Sequence, residues 1–62
     1  MELLDEKAVA RRLGVSIKTV QGWRFHGVGP RYYKVRRSVR YDALDVQRYL
    51  DSCAVAPETE QR

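Results

Sequence analysis

Asp5-Glu6-Lys7-Ala8-Val9-Ala10-Arg11-Arg12-Leu13-Gly14-Val15-Ser16-Ile17-Lys18-Thr19-Val20-Gln21-Gly22-Trp23-Arg24-Phe25-His26-Gly27 reads as two short helices, each with its own start and stop. Asp5 and Ser16 are N-cap residues, because a short side-chain oxygen can accept from the unpaired amides of the first helical turn. Gly14 and Gly27 stand where a helix ends on a left-handed residue. Val9 and Leu13, four apart with Ala10 beside them, give the first helix one narrow apolar face, while Lys7, Arg11 and Arg12 point outward. In the second helix Val20 and Trp23 are the inward positions. A connection of about three residues containing a glycine lets the second helix cross the first steeply, which is the spacing of a helix-turn-helix.

Working outward, Gly27-Val28-Gly29-Pro30 interrupts regular structure. Tyr33, Val35, Val39 and Tyr41 then alternate on either side of Arg36-Arg37-Ser38, which predicts a β-hairpin. Its apolar side is expected to hold those four residues, with Lys34 and Arg40 pointing away beside the cationic tip. Asp42 caps a last helix from Ala43 to Ser52, with Val46, Tyr49 and Leu50 as its buried face. Trp23, Tyr41 and Tyr49 are assigned to the core, because so short a chain needs large side chains to close one, and Tyr32 to the outer side. His26 is expected to cap a helix C-terminus, and Cys53 to be a small apolar filler. The expected fold is mostly α with a small β-hairpin: helix, turn, second helix, two-stranded wing and C-terminal helix over residues 1–53. Residues 54–62 are expected to form a flexible tail.

Sixty-two residues fit one domain and leave no room for a second core or an enclosed substrate pocket, so no catalytic residue is assigned and an enzyme is not expected. One histidine and one cysteine permit neither an intrachain disulfide nor a zinc site of ordinary ligand count, so no metal or cofactor is expected. No apolar run approaches the roughly 20 residues that span a bilayer, and Met1-Glu2-Leu3-Leu4-Asp5 lacks the features of a signal peptide. A cytoplasmic protein with no membrane partner is the expectation. Twelve Lys and Arg against eight Asp and Glu give a net charge of +4, which favours a polyanionic partner. The distribution is sharper than the sum. Between Ser16 and Arg40 stand Lys18, Arg24, Arg31, Lys34, Arg36, Arg37 and Arg40, and no carboxylate.

A helix has the right width for the major groove of duplex DNA, where its side chains must donate to or accept from base edges. Ser16, Lys18, Thr19, Gln21 and Arg24 offer this: Gln21 matches adenine N6 and N7, Arg24 matches guanine O6 and N7, and Thr19 suits a thymine methyl or a phosphate. Gly22 removes a side chain where the helix approaches closely. On an isolated helix these residues would read as a solvated face; the tight turn ahead of them makes a reading surface the better interpretation. Arg36, Arg37 and Ser38 at the hairpin tip suit phosphates flanking the minor groove, or insertion of one guanidinium into it, supported by Lys34 and Arg40.

Leu3 to Val20, then Gly29-Pro30-Arg31-Tyr32-Tyr33-Lys34-Val35 and Val39-Arg40-Tyr41, resemble the winged helix-turn-helix of the excisionase and MerR-like superfamily. The resemblance runs from about Leu3 to Leu50, and the order of elements is its most specific part. It implies that Ser16 to Arg24 read the major groove and that Lys34 to Arg40 form the wing. One departure is visible: the family's wing turn resembles Gly-Arg-Arg, whereas this chain has Arg36-Arg37-Ser38. The resemblance further implies an excisionase, a recombination directionality factor that binds attachment-site arms in a bacterial host cell, bends the DNA and directs an integrase toward excision. A small AlpA-like transcriptional regulator binding an operator is the alternative. MerR-type activators are similar only in their first domain. A single module of this kind buries only about 600 to 1,000 Å² on DNA, so useful occupancy calls for several copies. With no heptad pattern for a coiled-coil dimer, head-to-tail contact between copies on repeated sites is expected, with Phe25, Val28, Leu44, Asp45 and Asp51 as contact points.

Overall fold

Three side-chain caps fix where the helices begin. The computed structural model describes residues 1–57, which form β1 (Leu3–Leu4), α1 (Glu6–Leu13), α2 (Ile17–His26), β2 (Tyr33–Val35), β3 (Ser38–Asp42) and α3 (Ala43–Ser52). The Asp5 carboxylate accepts from the Ala8 amide at 2.8 Å, Ser16 Oγ from the Thr19 amide at 3.1 Å, and Asp42 Oδ1 from the Leu44 amide at 3.2 Å. Gly14, at φ 71°, ends α1 in the left-handed conformation, and the Val15 amide then donates back to the Ala10 carbonyl at 3.0 Å. The same closing bond ends α2, from the Val28 amide to the Trp23 carbonyl at 2.8 Å. The three helices thus lie where the sequence predicts them.

The sheet differs from expectation in two ways. It has three antiparallel strands in the order β1-β3-β2, because Leu3 pairs with Asp42 and Leu4 with Tyr41 on the far side of the hairpin. Two residues are too few to show an alternation, so the extra strand leaves no periodic signal. The hairpin register is also shifted. Tyr33 faces Arg40, Lys34 faces Val39 and Val35 faces Ser38, which leaves a two-residue loop, Arg36-Arg37, in place of the three residues expected. Cross-strand partners share a face, so Tyr33, Val35, Ser38 and Arg40 lie on one side and Lys34, Val39 and Tyr41 on the other. The four apolar residues therefore do not share a side, Lys34 and Arg40 do not point the same way, and Val35 is 52% exposed.

One side chain from each of α1, α2, β3 and α3 is almost completely buried: Val9, Val20, Tyr41 and Val46. Leu4 and Ala10 complete the cluster, with Leu13, Ile17, Trp23 and Val39 packed against it. Trp23 and Tyr49 meet with ring centroids 5.5 Å apart, joining α2 to α3. Tyr32, assigned to the outer side, is 40% exposed but leans on the buried Tyr41, with ring centroids 5.9 Å apart. Leu50 is 43% exposed and does not belong to the buried face of α3, because Val46 and Tyr49 already make that helix's contacts with the core and with Trp23. Cys53 is exposed just past α3 and fills nothing. Ala54 to Pro57 are exposed, and the remainder of the expected tail, 58–62, lies outside the described residues. Among the described residues no helix is long and apolar enough to cross a membrane.

Gly29 has φ 86°, and a Cβ there would come within 2.9 Å of Trp23 Cβ. Gly29→Ala should therefore cost about 2 kcal/mol or more, from left-handed strain plus displacement of Trp23, and thermal unfolding measures it. Burial pushes the phenols of Tyr41 and Tyr49 above their ordinary value of 10.0. The unfolded chain then loses those protons first, so stability should be level below about pH 10 and fall above it. Thermal midpoints between about pH 8 and 11 check this, and Tyr41→Phe should flatten the decline.

Candidate nucleic-acid interface

The start of α2 is built by Ser16, whose Oγ caps the Thr19 amide and shares a 2.9 Å hydrogen bond with Thr19 Oγ1. No acidic residue occupies the first turn, which leaves the positive end of the helix dipole uncompensated by its own side chains. Lys18 is exposed, and Phe25, seven residues on, is 85% exposed on the same outward side. Gly22 lies between them. A Cβ at Gly22 would meet nothing within 4 Å, so packing within the chain does not require glycine there. It costs the helix about 1 kcal/mol relative to alanine.

Gln21 and Arg24 project from an adjacent row toward the start of α1. Gln21 Nε2 donates to Glu6 Oε1 at 3.2 Å, and Arg24 Nε donates to Glu6 Oε2 at 2.8 Å. The Glu6 hydrogen bond raises the pKa of the Arg24 guanidinium, against a smaller opposing effect of burial. Glu6 and Arg24 form the most sheltered ion pair of the described residues, with side chains 15% and 31% exposed.

Arg24 opens onto a surface hollow that α2 shares with the hairpin. Its walls are Ile17 and Arg24 of α2, Asp5, Glu6 and Lys7 at the start of α1, and Arg37, Ser38, Val39 and Arg40. Ile17 and Arg24 of α2 and residues 37–40 of the hairpin thus border one hollow, with the start of α1 as its third wall. Their surface is not free of carboxylates, however. The sequence from Ser16 to Arg40 contains none, but folding inserts Asp5 and Glu6 from α1 among its cations. Asp5 is committed to its cap and Glu6 to Gln21 and Arg24. Glu6 gives no signal in the sequence, because its partners stand 15 and 18 positions away and a glutamate opening a helix is ordinary.

At the tip, Arg36 is the one non-glycine residue of the described chain with positive φ, 59°. Primed hairpin turns demand this conformation and usually meet it with glycine or asparagine. Lys34, Arg36 and Arg37 are exposed, and among the described residues none of them pairs with a carboxylate. Arg40 Nη1 donates to its neighbour's carbonyl, Val39 O, at 2.8 Å. Arg31 is different. Its Nη2 donates to Tyr33 OH at 2.8 Å and its Nε to Asp45 Oδ2 at 3.2 Å, and these contacts, Tyr33 foremost, raise its pKa. It therefore ties the hairpin to α3.

Of the expected contact points between copies, Phe25, Val28 and Leu44 are exposed. Asp45 is already engaged by Arg31 and, at 3.5 Å, by Arg48, and Asp51 accepts from Gln47 at 2.9 Å. Neither carboxylate stands unpaired for a neighbour. Among the described residues no group of three or more His, Cys, Asp and Glu is placed to hold a metal ion. No protein-family model matches the chain, and no curated protein matches it in sequence.

Arg36→Gly should relieve the left-handed strain and raise stability by about 1 kcal/mol, read as a higher thermal midpoint. A lower midpoint would mean that the Arg36 side chain holds the turn.

Proposed function

We propose that this chain binds double-stranded DNA and catalyses nothing itself, α1 and α2 acting as a helix-turn-helix and β2–β3 as its wing. The observation that carries this reading is the shared hollow, which Arg24 of α2 lines together with Arg37 and Arg40 of the hairpin. α2 offers Ser16, Lys18, Thr19, Gln21 and Arg24 to base edges, with Gly22 as a point of close approach. The hairpin offers Lys34, Arg36, Arg37, Ser38 and Arg40 to the phosphates alongside. Arg36 supports the same reading, since a strained non-glycine residue at a turn tip is accounted for when its side chain has a use outside the fold.

Within this reading the chain acts as an excisionase: several copies occupy repeated sites on attachment-site arms, bend the duplex and bias an integrase toward excision. Support comes from the order of elements over Leu3 to Leu50 and from the small contact area of one module, which makes a lone copy a weak and poorly selective binder.

Titration against duplex DNA over a range of salt should give a log-log slope of about −0.9 for each phosphate contacted. Replacing Arg36 and Arg37 together by Ala should weaken binding to all sequences and flatten that slope, whereas Gln21→Ala or Arg24→Ala should relax preference at particular base pairs by about 1 to 3 kcal/mol. Unchanged binding in both sets overturns the surface assignment. Footprints at several spaced sites beside an attachment core support excision; one operator overlapping a promoter points to transcriptional regulation.

A further inference from the structure

Arg24 and Gln21 are the two side chains best suited to read a purine edge, and one carboxylate holds both. Glu6 divides its oxygens between them, Oε1 receiving Gln21 Nε2 at 3.2 Å and Oε2 receiving Arg24 Nε at 2.8 Å. Glu6 sits in the first turn of α1, where its charge favours the helix, and its side chain is only 15% exposed. It is thus fixed from behind rather than swinging in solvent. The bond to Arg24 uses the Nε edge of the guanidinium. Among the described residues Nη1 and Nη2 make no hydrogen bond, so the terminal fork remains available. Gln21 likewise keeps its carbonyl oxygen and one amide hydrogen.

We propose that Glu6 is a specificity-determining positioning residue: it aims the Arg24 fork and the Gln21 amide at base edges and discourages their use on phosphates. The inference rests on the DNA-binding reading above and deepens it. Two physical effects act together. Arg and Gln side chains lose substantial rotamer freedom on binding, and a contact made beforehand removes part of that loss only for the orientation it enforces. A carboxylate against the guanidinium also offsets the charge that would otherwise draw it to any phosphate, whereas a planar fork on guanine O6 and N7 depends on direction as well as charge. A charge-balanced arginine with a fixed plane is therefore a better reader of sequence than a free one. Lys18, Arg36 and Arg37, with no such partner, are left to supply attraction that does not depend on sequence.

The experiment selects preferred sites from a duplex pool with a randomised centre, then measures binding to the preferred duplex and to its single-base-pair variants. Glu6→Gln should keep its thermal midpoint near that of the unaltered protein and bind bulk duplex at least as tightly. It should also lose about tenfold in preference at the base pairs where Arg24→Ala loses preference. At the base pairs where Arg24→Ala loses preference, Glu6→Ala combined with Arg24→Ala should discriminate no worse than Arg24→Ala alone, because Glu6 acts there only through its contact with Arg24. Arg24→Lys, which leaves Glu6 in place but has no planar fork, should lose preference at the same base pairs and covers the case in which Glu6 variants fail to fold. If Glu6→Gln changes affinity for every duplex by one common factor, or leaves the preference intact, Glu6 is only a repulsive charge or a helix residue and the proposal fails. If the unaltered protein shows no salt-dependent duplex binding, the DNA-binding reading itself fails.

Discussion

Tyr41 sits where every part of the molecule meets. It is contributed by β3, is 1% exposed, and shares its cluster with Val9 of α1, Val20 of α2 and Val46 of α3. A chain this short buries too little apolar surface to fix its elements redundantly, so each helix is located by one central side chain and a few flanking ones. The hairpin is located against the helices chiefly through Tyr41 and Val39. The distance between the Arg36-Arg37 tip and α2, on which any two-part contact with a ligand depends, is therefore a property of the core as much as of the surface.

Around that core the charges divide by role. Arg24 and Arg31 are paired, with Glu6 and Asp45, and each pair crosses between elements: α1 to α2 in one case, hairpin to α3 in the other. Lys18, Lys34, Arg36 and Arg37 pair with no carboxylate among the described residues. Bound cations and unbound ones are interleaved along the sequence, so a count of basic residues overstates the charge on offer to a partner. Around the hollow itself Lys7, Arg24, Arg37 and Arg40 outnumber Asp5 and Glu6, so the lining keeps an excess of positive charge.

The helices were legible in the sequence because their ends are marked by local chemistry. Asp5, Ser16 and Asp42 cap within three residues, and Gly14 and Gly27 close the first two helices just as locally. The hairpin was legible in its existence but not its register, since Tyr33, Val35, Val39 and Tyr41 suit a three-residue loop as well as the two-residue one that forms. Nothing short of the strand pairing distinguishes them. β1 gives no sequence signal because two leucines carry no period, and the exposure of Leu50 is hidden because helical spacing says which residues share a face but not how far the core extends beneath it. The candidate site followed the same division. Its cations could be read off, whereas the carboxylate that holds two of its members depends on α1 and α2 crossing, a fact of tertiary structure.

The strand order has a further consequence. β3 has a partner on either side, but β2 lies at the outside of the sheet, with backbone groups along one margin that no neighbouring strand satisfies. Such a margin is a template on which another chain's strand can add, and lysine or arginine beside it is a common deterrent. Lys34 and the Arg36-Arg37 loop occupy that place here, so the cations that would meet a polyanion also keep copies of the sheet from joining edge to edge. Should the tip meet a polyanion as proposed, a substitution there would change the protection of the sheet edge together with the binding.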